Sequence, residues 1–256
     1  MAQTETVYGL HAVTSVLAND AVHVSTIAVL DSRDDERLGQ IVAAADAAGV
    51  QIQRLPRKAL DAMLPGGARH QGVIATLQRA TQPHERDLPA FLQAIDGPAF
   101  LLVLDGIQDP HNFGACLRSA DAAGVHAVIV PRDRAVGITP VVRKVASGAV
   151  DSVPVFTVTN LARVLRQLRA AGIWVYGASD SAGQDIYATD LQGPLALVLG
   201  AEGKGLRRLT REHCDALLAI PMAGQVTSLN VSVAAGIMLY EARRQRLVRP
   251  GPPGTP

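Results

Sequence analysis

The chain has 256 residues, a formal net charge of +1 and a hydrophobic fraction of 48%. This length can accommodate two modest domains, and no window approaches the ~18 uninterrupted apolar residues that a membrane span requires. The N-terminal stretch MAQTETVYGLHAV lacks a basic region followed by an apolar core, so a soluble, cytoplasmic protein without a secretory signal is expected. The two cysteines, Cys116 and Cys214, have no metal-like spacing, which favours free structural thiols.

The first 78 residues have a compact α/β pattern. Apolar periodicity predicts a helix, a strand, a second helix and two further strands, in the segments HAVTSVLAN, VSTIAVLD, RLGQIVAAADAAGV, VQIQRLP and QGVIATLQ. Residues 79–97 mix proline, charge and a short amphipathic turn, which is typical of a linker. We therefore expect a small N-terminal domain over residues 1–78.

Strands and helices alternate from residue 98 to residue 248. The predicted strands are AFLLVLD, HAVIVP, VPVFTV, IWVYGAS, LALVLG and ALLAIPM. The predicted helices are FGACLRSADAAG, TPVVRKVASGA, LARVLRQLRAAG, GLRRLTREHCD and a long helix from about Leu229 to Leu247. This alternation predicts a mainly parallel sheet with helices on both faces. Residues 249–256, rich in proline and glycine, are expected to form a disordered tail.

Basic side chains are more frequent in this second part, where residues 98–248 carry 15 Lys and Arg against 12 Asp and Glu. Each local cluster, taken alone, is typical of a solvated helix face. Together the clusters are compatible with a polyanionic partner. They are Arg132 with Arg134, Arg143 with Lys144, Arg207 with Arg208 and Arg211, and Arg243 with Arg244 and Arg246.

A glycine-rich turn follows the strand LALVLG in the stretch LALVLGAEGKGLRRLT. Such turns often bind phosphate through backbone N–H groups, but this one matches neither familiar template. A Walker A loop needs Ser or Thr where this chain has Gly205, and a dinucleotide fingerprint starting at Gly203 would end on Arg208 instead of glycine. Glu202 would repel a pyrophosphate and suits a neutral or cationic ligand. The turn therefore predicts a nucleotide-like ligand that is not an anion.

Two further motifs flank this turn in the sequence. In DPHNFGACLRSADAAGV, Asn112 is expected at a turn and Arg118 on the following helix, directed toward the carboxyl edge of the sheet, where ligands bind in doubly wound folds. The alternative is that Asn112 caps the helix and Arg118 is a surface cation. In IPMAGQVTSLNVSVAAG, Ser228 and Asn230 precede or open the last helix, where both are good capping residues.

Taken in order, the three motifs resemble the SpoU (TrmH-like) branch of the SPOUT RNA methyltransferases: DPHNFGACLRSADAAG, LVLGAEGKGL and IPMAGQVTSLNVSVA. The resemblance extends through VYGLHAV and RHQGVIA near the N-terminus, covers roughly residues 7–247, and is strongest to the bacterial enzymes that methylate a guanosine 2'-hydroxyl in 23S rRNA. It implies a deep trefoil knot in the sheet of residues 98–248 and an L30e-like RNA-binding domain over residues 1–78. It also implies a homodimer with its site near the subunit interface.

The same resemblance implies S-adenosylmethionine as the cofactor, because its sulfonium is cationic and needs no phosphate loop. No metal and no membrane are expected, and ribosomal RNA is the expected partner. The residues that it implies at the cofactor are Ala178, Gly200, Gly205, Ile220 and Leu229.

Arg118 is the first catalytic candidate that the resemblance implies. Either it acts as the base, or it holds the neighbouring phosphate and polarises the 2'-hydroxyl, which we favour because a guanidinium is a poor base. Asn112 would orient Arg118 or the ribose, and Glu202 would fix the cofactor turn or Arg118. Ser228 and Asn230 would order the chain around the methionine end of the cofactor.

Three alternative functions are a dinucleotide-dependent enzyme, a noncatalytic RNA-binding protein and a methyltransferase with another RNA substrate. A dinucleotide enzyme needs a glycine fingerprint after the first strand of the domain, but Gly106 is followed by no glycine until Gly114. A noncatalytic RNA-binding protein would be expected to lose Arg118 or the SLN turn, and both are present. Within the enzyme class, the alternatives are a tRNA guanosine-2'-O-methyltransferase and an antibiotic-resistance type that methylates rRNA adenosine.

Overall fold

The computed structural model describes residues 2–64, 66, 68–80, 82–201, 203 and 205–247. The chain divides into two compact units, Met1–Thr81 and Gln82–Pro256. The expected tail, residues 249–256, lies outside the described residues. None of the described helices has the length and hydropathy that crossing a bilayer requires.

The N-terminal unit is a four-stranded sheet with three helices among its described residues. In chain order these elements are β1 (Ala2–Tyr8), α1 (Leu10–Asp20), β2 (Val24–Leu30), α2 (Glu36–Ala47), β3 (Gln51–Leu55), α3 (Arg57–Ala62) and β4 (Val73–Ala80). The strand order is β1-β4-β2-β3, in which β2 and β3 are parallel and the other two pairs are antiparallel. Strand β1 was not predicted, because the segment AQTETVY has no clear apolar alternation.

The second unit is built on a seven-stranded sheet. Its elements are α4 (Leu88–Gln93), β5 (Phe100–Asp105), α5 (Pro110–Ala123), β6 (Ala127–Pro131), α6 (Pro140–Ala146), α7 (Ala149–Ser152), β7 (Val155–Val158), α8 (Leu161–Ala170), β8 (Trp174–Ala178), β9 (Gln184–Asp185), β10 (Leu195–Gly200), α9 (Arg208–Glu212), β11 (Ala216–Ala219) and α10 (Val231–Leu247). The strand order is β7-β6-β5-β10-β8-β11-β9, and the neighbouring strands are parallel. The predicted α/β class with a mainly parallel sheet is confirmed.

Both faces of this sheet are covered, which explains the uninterrupted apolar run of β5. Phe100, Leu102 and Leu104 belong to a buried cluster that includes residues of α5 and α10. Leu101 and Val103 point the other way, into a cluster that includes residues of α4 and α8. Alternate side chains of one strand therefore serve two apolar layers, as expected for a parallel sheet between helices.

Residues 82–97 differ from the expected linker. They carry a 3-10 turn, Glu85–Asp87, and helix α4, whose Leu88 is buried in the cluster that includes residues of α8. The side chain of Gln82 donates to the carbonyl of Val150 at 2.9 Å and accepts from the N–H of Val155 at 2.8 Å. This stretch is anchored to the second unit because one apolar side chain and one amide find partners there.

The central position of β10 decides where ligands can bind. This strand lies between β5 and β8, although it follows both of them in the sequence. Because all three strands are parallel, their carboxyl ends meet at one edge of the sheet. A parallel sheet characteristically binds its ligands at this edge.

Candidate functional site

A cavity of about 430 Å³ opens at the carboxyl edge of the sheet. It is formed by the segments that follow β8, β10 and β11 and by the start of α10. Six of the residues predicted from the sequence line it: Ala178, Gly200, Gly205, Ile220, Ser228 and Leu229. The structure therefore brings together the second and third motifs, which are separated in the sequence by α9 and β11.

The glycine-rich turn after β10 forms one wall of this cavity. The N–H of Gly205 donates to the carbonyl of Ala201 at 2.8 Å, and Gly203 and Gly205 have φ values of 73° and 60°. A Cβ at Gly200 would lie 2.1 Å from the carbonyl carbon of Gly205. Only glycine fits at position 200, since two stretches of main chain touch there.

The first motif forms the start of α5. Asp109, and not Asn112, caps this helix: its Oδ2 accepts from the N–H of Asn112 at 2.9 Å, and Pro110 occupies the first helical position. Asn112 thus lies within the first turn, which corrects the alternative reading that made it the cap. A Cβ at Gly114 would lie 2.7 Å from Cβ of Val145, so this glycine allows α6 to pack closely on α5.

Asn230 connects the third motif to the first. Its Oδ1 accepts from the N–H of Ser232 at 2.9 Å, as expected for a residue that caps α10. Its Nδ2 donates to Oδ1 of Asn112 at 3.0 Å. The starts of α5 and α10 are therefore joined through two asparagine side chains.

Arg118 lies on the exposed surface of α5. Its Nη1 donates to Oγ of Ser147 at 3.5 Å, and Ser147 is the left-handed residue that ends α6. Arg118, Asn112 and Asn230 are not among the described residues that line the cavity. Glu202, the remaining predicted site residue, lies outside the described part of the chain.

The cavity contains polar residues that the sequence analysis did not select. Ser179 and Asp180 follow β8 directly and line the cavity together with Arg211 of α9, whose Nη2 donates to Oγ of Ser179 at 3.4 Å. Their position at the end of a parallel strand was the signal that could have identified Ser179 and Asp180. Apolar side chains supply much of the remaining wall, among them Leu199, Leu218, Met222 and Met238.

The basic cluster at the end of α10 is largely engaged within the protein. Arg244 pairs with the buried Glu241 at 2.8 Å. Arg246 donates to the carbonyls of Ala99 and Gly193 at 3.1 and 2.6 Å, and burial, together with the charge of Arg243, lowers its pKa to about 10. Arg244 and Arg246 therefore have structural partners, which weakens the contribution of this cluster to a polyanion contact.

Both thiols are at least partly buried, and the described residues contain no cluster of metal-binding side chains. Cys116 and Cys214 are both free, and burial raises the pKa of each thiol to about 12, which leaves them unreactive at neutral pH. Among the described residues, no three His, Cys, Asp or Glu side chains are placed to hold a metal ion.

Comparison with known protein families decides the family. The model of the SpoU rRNA Methylase family matches residues 99–240, and a model described as RNA 2'-O ribose methyltransferase substrate binding matches residues 6–83. The chain belongs to the SpoU rRNA methylase family. The resemblance predicted from the three motifs is thereby confirmed.

Individual SpoU proteins are similar over nearly the whole chain. A 23S rRNA (guanosine-2'-O-)-methyltransferase RlmB of Yersinia pestis is 53% identical over 95% of this chain and 98% of that protein. The RlmB of Escherichia coli (strain K12) is 52% identical over 95% of this chain and 99% of its own length. The crystal structure of the SpoU methyltransferase AviRb from Streptomyces viridochromogenes, in complex with the cofactor AdoMet, aligns with a TM-score of 0.64 and 25% identity. That alignment covers 96% of this chain and 91% of AviRb.

Proposed function

We propose that this protein is an S-adenosylmethionine-dependent RNA 2'-O-ribose methyltransferase that methylates a guanosine in 23S rRNA. The observation that carries the proposal is the 53% identity to a protein named for this activity, which spans 95% of the chain and 98% of that relative. Membership of the SpoU family and a cavity at the carboxyl edge of the sheet agree with it.

The chemistry of the cavity fits S-adenosylmethionine. A volume of about 430 Å³ is in the usual range for small-molecule sites, and the apolar walls suit an adenine ring. Asp180 and Arg211 supply one carboxylate and one guanidinium, which match the ammonium and carboxylate of a methionine moiety. Gly205 has no side chain and a Cβ there would meet no atom within 4 Å, so its backbone is open to a ligand.

S-adenosylmethionine, when bound, supplies an electrophilic methyl group to the 2'-hydroxyl of the ribose. The protein's task is then to align the weak oxygen nucleophile and increase its reactivity. We assign this task to Arg118, whose planar guanidinium would hold the phosphate next to the target ribose and donate to the 2'-oxygen, stabilising its alkoxide form as the hydroxyl proton passes to water. Its exposure on α5 supports contact with a large substrate.

The remaining predicted residues take supporting roles in this proposal. Asn112 and Asn230, which hydrogen bond to each other, would orient the start of α5 and so Arg118. Ser228 and Leu229, which line the cavity, would surround the methionine end of the cofactor together with Ile220 and Ala178. Glu202 would fix the turn after β10, between the lining residues Gly200 and Gly205.

The N-terminal domain, residues 1–78, is proposed to bind the RNA substrate as an L30e-like module. The match of residues 6–83 to a substrate-binding family supports this role. The methyltransferase domain would span residues 98–248, with residues 79–97 between the two domains.

We further propose that the second unit contains the deep trefoil knot of its family. Two features support it. Strand β10 lies between the earlier strands β5 and β8, and β11 lies between the earlier strands β8 and β9. The last helix, α10, then packs on α5 near the start of this unit.

The protein is also proposed to act as a homodimer. Helix α10 exposes an apolar stripe in which Val233 is 49% and Tyr240 53% exposed, with the partly exposed Ile237 between them. These residues are three and four positions apart, so they share one face of the helix. A second copy of the chain would cover this stripe and bring its own residues near the carboxyl edge of the sheet.

Mapping of ribose methylation tests the proposed function. Total RNA from cells with and without the protein would be digested and analysed by mass spectrometry, and we expect one 2'-O-methylguanosine in 23S rRNA to depend on the protein. A methyl group lost from tRNA, or from an rRNA adenosine, would favour one of the alternative substrates instead. Calorimetric titration of S-adenosylmethionine in the presence of a chelator tests the cofactor separately, and binding is expected to persist.

A further inference from the structure

An ion pair with a buried carboxylate and a partly exposed guanidinium connects the end of β5 to the segment that follows β10. Asp105 is the last residue of β5, and its side chain is 0% exposed, whereas that of Arg207 is 40% exposed. The backbone N–H of Arg207 donates to Oδ2 of Asp105 at 3.0 Å, and Nε of Arg207 donates to Oδ1 at 2.5 Å. One carboxylate therefore holds both the main chain and the side chain of Arg207.

The pair lies directly beside the cavity wall. Asp105 is the register partner of Gly200, and the segment from Gly200 to Arg207 includes the lining residues Ala201, Gly203 and Gly205. Neither Asp105 nor Arg207 is among the described residues that line the cavity. Any effect on a ligand there would have to act through the conformation of this segment.

Two glycines of this segment have open space where a side chain would lie. Gly203 and Gly205 both have positive φ, and a Cβ at either position would meet no atom within 4 Å. Such residues are conformationally free in the absence of other constraints. The contacts that fix the described part of the segment include the hydrogen bond between Gly205 and Ala201, the burial of Leu206 in an apolar cluster, and the anchoring of Arg207 on Asp105.

Burying a carboxylate is unfavourable, and a buried ion pair adds little stability compared with an apolar pair of similar volume. A pair in this place is better explained by the geometry that it specifies. We propose that Asp105 and Arg207 are positioning residues that hold the described lining residues Gly203 and Gly205 in the conformation that binds the cofactor. This inference rests on the proposed function, because it assumes that S-adenosylmethionine occupies the cavity.

Cofactor titration of single variants gives the first test. Arg207→Ala is expected to reduce the population of the binding-competent segment to about a tenth, which would raise the Kd for S-adenosylmethionine about tenfold. Arg207→Lys keeps the charge and the backbone N–H but loses the planar fork, so it should restore part of the affinity. The control is Arg208→Ala, since the neighbouring Arg208 pairs with Glu212 and makes no contact with Asp105. Its Kd should equal that of the unmodified protein.

Hydrogen exchange of the ligand-free protein gives a readout that needs no bound cofactor. In Arg207→Ala, the amides of Gly203, Gly205 and position 207 itself should exchange faster than in the unmodified protein, while those of β6 and β7 should not. At saturating cofactor, kcat should fall less than kcat/KM for the cofactor, because bound cofactor itself favours the binding-competent conformation.

A double variant separates positioning from stability. Asp105→Leu combined with Arg207→Met removes both charges and fills a similar volume, so it avoids an unpaired buried carboxylate. Its melting temperature is expected to be close to that of the unmodified protein. Its Kd for S-adenosylmethionine is expected to be higher, because the positioning pair is absent. This variant keeps the test decisive if Arg207→Ala does not fold.

The outcomes distinguish this inference from the proposed function. If the unmodified protein does not bind S-adenosylmethionine, the proposed function fails. If it binds, and folded variants of Asp105 or Arg207 bind equally well, the positioning role is overturned. Loss of RNA affinity with unchanged cofactor affinity would also overturn it, by showing that Arg207 contacts the substrate directly.

Discussion

Asn230 donates from Nδ2 to Oδ1 of Asn112 at 3.0 Å, across 118 residues of sequence. The other end of the same amide accepts from the N–H of Ser232 and caps α10. One side chain therefore both begins the last helix and attaches it to the first turn of α5, the helix that carries Arg118. The third sequence motif is in this way connected to the helix that carries Arg118.

Replacing Asn230 by aspartate separates these two functions. Asn230→Asp keeps an acceptor for the cap but cannot donate to Asn112, so the methyl-transfer rate should fall while the melting temperature changes little. Asn230→Ala loses the cap as well and should cost about 1 kcal/mol of stability. Thermal unfolding and single-turnover methylation of the two variants check this. Equal loss of stability in both would contradict the separation.

Arg118 is expected to affect the reaction far more than cofactor binding. Arg118→Ala should slow methyl transfer by about 10²- to 10³-fold, the usual cost of removing one preorganised donor. Arg118→Lys keeps the charge but loses the planar fork, so RNA binding should fall modestly and the rate more strongly. Single-turnover kinetics and cofactor titration separate the two effects. The control is Ser147→Ala, which removes the hydroxyl that accepts from Nη1 of Arg118 at 3.5 Å and leaves Arg118 itself in place. A parallel loss of cofactor affinity in Arg118→Ala would show that Arg118 supports the cavity.

Gly200→Ala should deform the cavity. The added methyl group would lie 2.1 Å from the carbonyl carbon of Gly205, and the main chain must move to accept it. We expect a loss of about 1–3 kcal/mol in stability, typical of overpacking, and weaker cofactor binding. Gly193→Ala is the control, since a Cβ there meets no atom within 4 Å. Denaturant unfolding and calorimetry measure both effects, and an unchanged Gly200→Ala variant would contradict the close contact.

A chain that begins at Gln82 should fold and bind S-adenosylmethionine, because the second unit has its own sheet and its own buried clusters. It should methylate RNA poorly, since the proposed RNA-binding domain is missing. Circular dichroism, calorimetry and methylation assays on rRNA provide the measurements. Undiminished methylation would require another role for the N-terminal domain.

Charge placed on the apolar stripe of α10 should disrupt the proposed dimer. Val233→Glu and Tyr240→Glu are expected to give a monomer in light scattering after gel filtration, whereas Leu209→Glu should not. Leu209 is a matched control because it is an equally exposed apolar residue, 52% exposed, on a different helix. A dimer that survives both substitutions would exclude this face as the interface.

The alternation of strands and helices was predictable wherever apolar runs were long. Strand β5 was found because FLLVL is buried on both faces, and α8 because Leu161, Val164, Leu165 and Leu168 recur on one side of the helix. Strands β1 and β9 were missed for a different reason. Strand β1 is largely polar and strand β9 has only two residues, so neither has an apolar pattern that could be recognised in the sequence. Each is identified as a strand only by its pairing with β4 or β11.

The residues that line the candidate cavity could be anticipated only where a sequence motif marks them. The turns around Gly200 and Leu229 carried a recognisable pattern, but the pairing of Asp105 with Arg207 spans 102 residues and leaves no local trace. Asp109 was overlooked as the cap of α5, although the dipeptide Asp109-Pro110 is a sequence signal for a helix start. Contacts between distant segments depend on strand order, which local periodicity does not encode.

The order of the strands also affects how the protein is made. A ribosome synthesises β5 and β8 before β10, yet in the native sheet β10 separates them. Until residue 200 has emerged, one edge of β5 and both edges of β8 have no native partner, because β8 pairs with β10 and β11. Exposed edges of apolar strands are prone to wrong pairing. The native position of β10, between β5 and β8, therefore stays unfilled while β10 is still inside the exit tunnel. Slower translation just before residue 195 would lengthen this vulnerable interval.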